Sequence, residues 1–277
     1  MKCLLVLSRD IFLTIFIGTN MTSSVVKRRE HIIDLLCDEG SVGVESLSAR
    51  FGVSSVTIRN DLRYLERKGC ALRLHGGAIL NRQFVFDRPL QDKGDMNRDV
   101  KSRIAAKAAE FINDGDALIL DSGSTTSHIS PHLKFRRDVV VMTNALNIAY
   151  QLANFDGIEV MVLGGSVRQK SYSLSGPSAE QQLRQYRFKT LFLGVDGFDL
   201  ITGITTPNSI EAHLNRVMCE VAHEIIAVAD SSKFGRQSFC MIREAGQIHR
   251  LITDSGIPDN YHKELTELGV DVIIVDD

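Results

Sequence analysis

The sequence predicts an α/β chain in two parts. A winged helix-turn-helix is expected over residues 25–80, and a doubly wound α/β domain over residues 98–277. Three observations lead there. Three short helical patterns, punctuated by glycines, run into an alternating stretch that ends in a glycine pair. Beyond residue 98, apolar runs of strand length alternate with helical patterns. A length of 277 residues also suits two domains better than one.

Residues 26–38 carry Ile32, Ile33, Leu35 and Leu36 at helical spacing and stop before Gly40, a C-terminal capping glycine. Residues 44–51 carry Leu47 and Phe51. Gly52, Val53 and Ser54 then make a turn into a third helix, which runs to about Lys68 and ends at Gly69. A short helix, a glycine turn and a second helix is helix-turn-helix spacing. In the third helix Ile58, Leu62 and Leu65 recur at i, i+4 and i+7 and form one apolar stripe. Ser54 or Ser55 is its N-cap. Thr57, Asn60 and Arg63 fall away from the stripe, with Arg59 beside them. Hydroxyl, amide and guanidinium groups on one open face suit phosphates and base edges. After Gly69 the chain alternates apolar and polar residues up to Gly76-Gly77, as a two-stranded wing does, with Arg73 and His75 available to the backbone or the minor groove. Asp61 is read as structural, paired with a neighbouring Arg or the backbone, because a carboxylate facing DNA is repelled.

Residues 81–97 are polar and charged with one proline and read as a linker. Strands are expected at residues 117–121, 139–143, 159–163, 190–194, 225–229, 251–253 and 272–275. Several are apolar throughout, which fits parallel strands buried on both faces. Helices are expected at 100–112, 177–186 and 210–222. Ligands of such sheets bind beyond the carboxyl ends of the strands, and the polar and glycine-rich groups gather there. Asp121, Ser122, Gly123, Ser124, Thr125 and Thr126 follow the first strand. Thr143 and Asn144 follow the second, Gly164 and Gly165 the third, Asp196 and Gly197 the fourth, and Lys233 the fifth. A loop of small hydroxyl residues opening a helix makes an anion site, to which Lys233 can add a point charge. Asp121 and Asp196 can accept from sugar hydroxyls. Together these loops point to a polyol-phosphate pocket.

Two blocks of motifs resemble the DeoR-type bacterial repressors. The first is Arg28, Ile32 and Leu36, then Ser54 with the run from Thr57 to Leu62 and Leu65, followed by Arg73-x-His75-Gly76-Gly77-Ala78. Asn60 departs from it, since many members carry a second Arg there, and an Asn suits adenine. The second block is the ordered series Asp121–Thr126, Thr143-Asn144-Ala145, Gly164-Gly165, Gly194–Gly197, Gly203–Thr206 and Asp230–Gly235. The resemblance implies a sensor domain similar in fold to ribose-5-phosphate isomerase. It also implies a phosphorylated sugar or amino sugar as effector, and adds Thr205, Thr206 and Glu211 to the effector site. Double-stranded operator DNA and a second copy of the chain, as dimer or tetramer, are the other expected partners. An isomerase is the competing reading, with Asp196, Asp199 and Lys233 as remnants of its site. The position of the isomerases' general base falls on Asn215, and an amide cannot take a proton from carbon. No catalytic residues are therefore expected, with Glu211 as the one nearby carboxylate.

Charge and cysteines bound the rest. Residues 21–80 hold 9 Lys and Arg against 7 Asp and Glu, and residues 81–277 hold 21 against 26. A basic end on an acidic body fits a DNA-binding module on a ligand sensor. The cysteines Cys3, Cys37, Cys70, Cys219 and Cys240 are scattered without a C-x-x-C pair, so neither a metal, a cofactor nor a disulfide framework is expected, and the cytoplasm is the expected compartment. Cys37 and Cys219 read as small core residues. Residues 11–17 are an apolar run too short to span a bilayer. Residues 1–20 are read as a start set too early, with Met21 as initiator, the alternatives being a disordered or interface segment and a targeting signal; no membrane association is expected.

Overall fold

The computed structural model describes residues 25, 27–29, 31–36, 39–67, 69–81 and 85–276. The chain divides into two compact units at residues 82/83. The segment 1–20 and the cysteines Cys3 and Cys37 lie outside the described residues.

The first unit holds helix α1, described over residues 31–36, then β1 (Ser41–Gly43), α2 (Val44–Phe51), α3 (Ser55–Arg67), β2 (Ala71–Leu74) and β3 (Gly77–Leu80). Ile32, Leu36, Leu47, Ile58, Leu62 and Leu65 are all buried, so the expected stripes meet in one small core. Each such side chain contributes about 1.5–3 kcal/mol. Gly40, Gly52 and Gly69 all have positive φ, and their left-handed turns end α1, α2 and α3. The wing is a three-stranded antiparallel sheet, β1-β3-β2, with β1 as a strand the alternation did not show. Gly77 cannot carry a side chain there, because a Cβ would fall on the carbonyl of Val42. Asp61 is buried and paired with Arg28 at 2.6 Å and Arg29 at 2.8 Å, which ties α3 to the helical residues 27–29.

The second unit is built on a seven-stranded parallel sheet of order β15-β14-β12-β9-β4-β5-β6. Its strands are β4 (Ala117–Leu120), β5 (Val139–Thr143), β6 (Ile158–Val162), β9 (Phe188–Gly194), β12 (Ala222–Val228), β14 (Arg250–Asp254) and β15 (Asp271–Val275). Alternate residues feed opposite cores. Ile119, Leu191, Leu193 and Ala227 pack with Ala212 and Val217 of α6 (Ser209–Val221). Leu118, Leu120, Phe192, Ile226 and Val228 pack with Ile104 and Ala108 of α5 (Arg98–Ala109). Apolar residues on both sides of each strand are why the runs read as continuous. Hairpin β7–β8 (Ser166–Arg168, Ser173–Ser175) and a small antiparallel sheet of β10 (Gly197–Asp199), β11 (Gly203–Thr206) and β13 (Cys240–Arg243) stand beside the main sheet. Among the described residues no helix is long and apolar enough to cross a membrane.

The expected linker needs correction over residues 85–97, which belong to the second unit. Val85 N donates to Gln237 O at 2.8 Å, and Leu90 N donates to Lys170 O at 2.7 Å. Helix α4 (Leu90–Asp95) follows Pro89. The segment is polar because it is held by hydrogen bonds and ion pairs rather than by apolar burial, and polarity is also what marks a linker.

Candidate nucleic-acid interface and effector pocket

On α3 the stripe of Ile58, Leu62 and Leu65 faces inward and the opposite side is open. Ser54 is the N-cap: its Oγ accepts from Thr57 N at 3.2 Å and meets Thr57 Oγ1 at 2.9 Å. Arg63 Nη1 donates to Asn60 Oδ1 at 3.0 Å, and Arg59 reaches Ser55 Oγ at 3.5 Å. Arg59, Asn60 and Arg63 are exposed, so these contacts leave most of their donors free for another molecule. His75 sits in the turn between β2 and β3 and is exposed. Arg73, on β2, lies 3.6 Å from Glu66, a carboxylate the sequence reading did not set against it.

In the second unit the order of strands decides where a pocket forms. The chain winds outward from β4 through β5 to β6, then returns to place β9 on the other side of β4. The β4/β9 boundary is thus a topological switch point, where loops at the carboxyl ends diverge and leave a crevice. A cleft of about 630 Å³, its open mouth included, lies there. Asp121, Ser122, Gly123, Ser124 and Thr125 line it from β4, and Gly194, Val195 and Asp196 from β9. Thr206, Glu211, Asn215 and Lys233 complete the far wall.

Other expected residues stand behind or away from that wall. Thr126 is fully buried, its Oγ1 donating to Gly123 O at 3.1 Å. Thr143 and Asn144 are buried at the end of β5; Asn144 Oδ1 accepts from Ser122 N at 2.9 Å and so holds the β4 loop. Thr205 is buried and accepts from Ser238 N, and Gly197 packs against Arg236 and Thr205 so closely that no side chain fits. Gly164 and Gly165 follow β6, two strands from the switch point, and Gly164 N donates to Gln182. Asp199 accepts from Ile201 N and Thr202 N in its own turn and does not line the cleft. Sequence spacing marks strand ends but not strand order, and order places only some ends at the crevice.

The sequence reading missed Arg88 and Lys93 from the segment before α5, and Lys170 and Ser171 from the β7–β8 turn. The signal was present in the polar run from Arg168 to Ser173 just after the glycine pair. Lys93 Nζ is 2.7 Å from Asp196 Oδ1, and Thr206 Oγ1 donates to the other oxygen at 3.0 Å. Burial works against the charge of both partners, but the pair prevails: Lys93 is held above and Asp196 below its usual range. Glu211 is 2.8 Å from Arg168 and accepts from Ser171 and Ser173. Asp121 is different. It accepts from Ser122 N, Gly194 N and Asn215 Nδ2, yet burial and then the neighbouring charge of Glu211 push its carboxyl up to about 8. Asn215, at the position where the isomerase resemblance puts a base, is thus a donor to a carboxylate. Cys219 is buried as expected, and burial lifts its thiol to about 12. The pocket therefore offers backbone amides, hydroxyls and fixed charges of both signs, suited to a polar anionic ligand.

Residues 28–84 match the DeoR-like helix-turn-helix domain and residues 96–255 the DeoR C-terminal sensor domain. The chain is 44% identical over 260 residues to a protein of Escherichia coli O157:H7 named as an aga operon transcriptional repressor, covering 93% of this chain and 97% of that protein. It is 34% identical to the HTH-type transcriptional regulator GlpR of Haloferax volcanii, covering 89% and 96%. A solved ribose-5-phosphate isomerase from Methanocaldococcus jannaschii matches at 18% identity with a TM-score of 0.38, over 50% of this chain and 55% of that one. The chain belongs to the DeoR family, as a DNA-binding transcriptional regulator rather than an enzyme.

Proposed function

We propose that the chain represses a carbohydrate-utilisation operon and is induced by a phosphorylated sugar or amino sugar. The observation that carries this is the cleft at the β4/β9 switch point, which the hydroxyl loop from Asp121 to Thr125 lines together with Lys93 and Lys233. A phosphate fits the loop's backbone donors and the two cations. Sugar hydroxyls fit Asp196 and Asn215. A dimer or tetramer presents paired α3 helices to repeated half-sites of double-stranded operator DNA. The effector binds better to the conformation with low operator affinity, and the equilibrium shifts accordingly.

The test is a gel shift with the full chain on DNA from upstream of its own and its flanking genes. Fructose 6-phosphate, galactosamine 6-phosphate and inorganic phosphate are titrated in. Release by a sugar phosphate but not by phosphate alone is the expected result. A retarded band unaffected by any phosphorylated sugar or amino sugar overturns the effector assignment.

A further inference from the structure

The segment 85–97 follows directly on the DNA-recognition unit in the chain, and it is fastened to the sensor body from end to end. At its start Val85 N donates to Gln237 O, and Val85 O accepts from Ser238 Oγ, both at 2.8 Å. Asp87 pairs with Arg168, which also holds Glu211 in the cleft. Lys93 pairs with Asp196. At its end Asn97 adopts a left-handed conformation with φ of 53°, and its Nδ2 donates to Asp230 Oδ1 at 2.9 Å. Lys101 is buried beneath the turn and donates from Nζ to Lys93 O and, at 2.6 Å, to Met96 O. Two of these fasteners, Lys93–Asp196 and Asp87–Arg168–Glu211, run through carboxylates that line the cleft.

The same segment lines the cleft with Arg88 and Lys93, together with the β4 loop and Lys233. With Lys170 added, four cationic side chains line the one space. Three of them have a carboxylate partner in this structure: Lys93 has Asp196, Lys170 has Asp87 at 3.7 Å and Lys233 has Asp230 at 3.9 Å. An anion carrying close to two charges that meets Arg88 and Lys93 on the segment and Lys233 and the β4 loop on the body draws segment and body together.

We propose that residues 85–97 form a ligand-clamped strap: an anion in the cleft is gripped between the β4 loop and the strap's Arg88 and Lys93, so occupancy is felt by the stretch of chain that leads to the DNA-recognition unit. This rests on the phosphorylated-ligand reading of the cleft. It goes further in naming the two residues that link binding to the DNA-binding half. Lys93 acts twice, as partner of Asp196 in the free protein and as a contact to the anion in the bound one.

The experiment is amide hydrogen exchange on the full-length protein, free and saturated with fructose 6-phosphate or galactosamine 6-phosphate. Isothermal titration runs in parallel on wild type, Arg88→Met, Lys93→Met, Lys93→Arg and Ser124→Asp. Amides of 85–97 are expected to slow at least tenfold on binding. Lys93→Met and Arg88→Met should each weaken the probe about tenfold. Lys93→Arg, which keeps the charge, should retain both affinity and protection. If wild type binds a probe, Ser124→Asp abolishes it, and exchange in 85–97 is the same free and bound, the strap is refuted while the pocket stands. If neither probe binds wild type, the ligand reading fails and the strap fails with it.

Discussion

The two candidate sites draw on the same residue types and use them in opposite ways. On α3, Ser54, Thr57, Asn60 and Arg63 are tied to neighbours three or four positions away and remain open to solvent. In the cleft, Asp121 and Glu211 are buried and Asp196 half-buried, and apart from the Ser122 amide next to Asp121 their partners lie 10 to 103 positions away. A surface that meets a large partner needs donors left free, and the partner supplies the order. A pocket that selects a small ligand must be ordered beforehand, since its desolvated polar groups are costly unless paired. The exposed face should therefore be sensitive in affinity and tolerant in stability, whereas changes in the cleft should move stability as well as ligand affinity.

Asp121 offers the largest effect. Its carboxyl is lifted to about 8, by burial first and by Glu211 second. Between about pH 4 and about pH 8 the folded chain holds a proton there that the unfolded chain has released. Stability contributed at this position is therefore lost as pH rises through that window, and the full cost is present above about pH 8. Asp121→Asn removes the charge and keeps an acceptor for Ser122. It should stabilise the sensor on the order of several kcal/mol near pH 9 and have little effect near pH 5. Thermal denaturation at the two pH values checks this. An equal shift at both would show a wet cleft, and the contrast with α3 would collapse.

Asp61 tests the comparison from the other side, as a buried charge within the DNA-recognition unit. It is the shared partner of Arg28 and Arg29, and Arg29 also stacks on Tyr64 at 3.9 Å. Asp61→Ala leaves two guanidinium groups competing for one site and should cost about 3 kcal/mol in chemical denaturation. A loss confined to operator affinity, with stability intact, would place Asp61 on the DNA face after all.

Arg59→Ala and Arg63→Ala should each lower operator affinity about tenfold and reduce the salt slope by about one, with thermal stability essentially unchanged. Fluorescence anisotropy at several salt concentrations separates the two quantities. Unchanged affinity in both variants would remove this face from the interface.

This contrast also explains what was legible beforehand. The α3 face follows from a period of 3.6, so Ile58, Leu62 and Leu65 on one side fix Arg59, Asn60 and Arg63 on the other without any distant information. The parallel sheet was legible because strands buried on both faces carry apolar residues without interruption. Strand order was not, since nothing in β6 states that it lies two strands from β4. Gly164 and Gly165 were therefore expected in a cleft they do not line. The strap was missed for a related reason. Lys93 finds Asp196 across 103 positions, and no local pattern marks an ion pair of that span. Arg73 and Glu66 escaped notice in the same way, through a contact between a helix and a strand.

The smallest effect lies at Ser54, which stands at the edge between the two modes. Its Oγ accepts from Thr57 N and so caps α3, yet it is exposed on the face that carries Arg59. Ser54→Ala should cost about 1 kcal/mol of stability, and Ser54→Gly only a few tenths, because glycine leaves the first turn open to water. If Ser54 only caps, operator affinity follows stability, and the glycine variant binds almost as wild type does. If its hydroxyl also meets a phosphate, both variants lose affinity alike, because both lack the oxygen. The expected outcome is the second: the helix N-terminus points its free amides and this hydroxyl the same way, and anions settle there. Parallel melting and anisotropy curves on the two variants decide it, and affinity that recovers with glycine would restrict Ser54 to its helix.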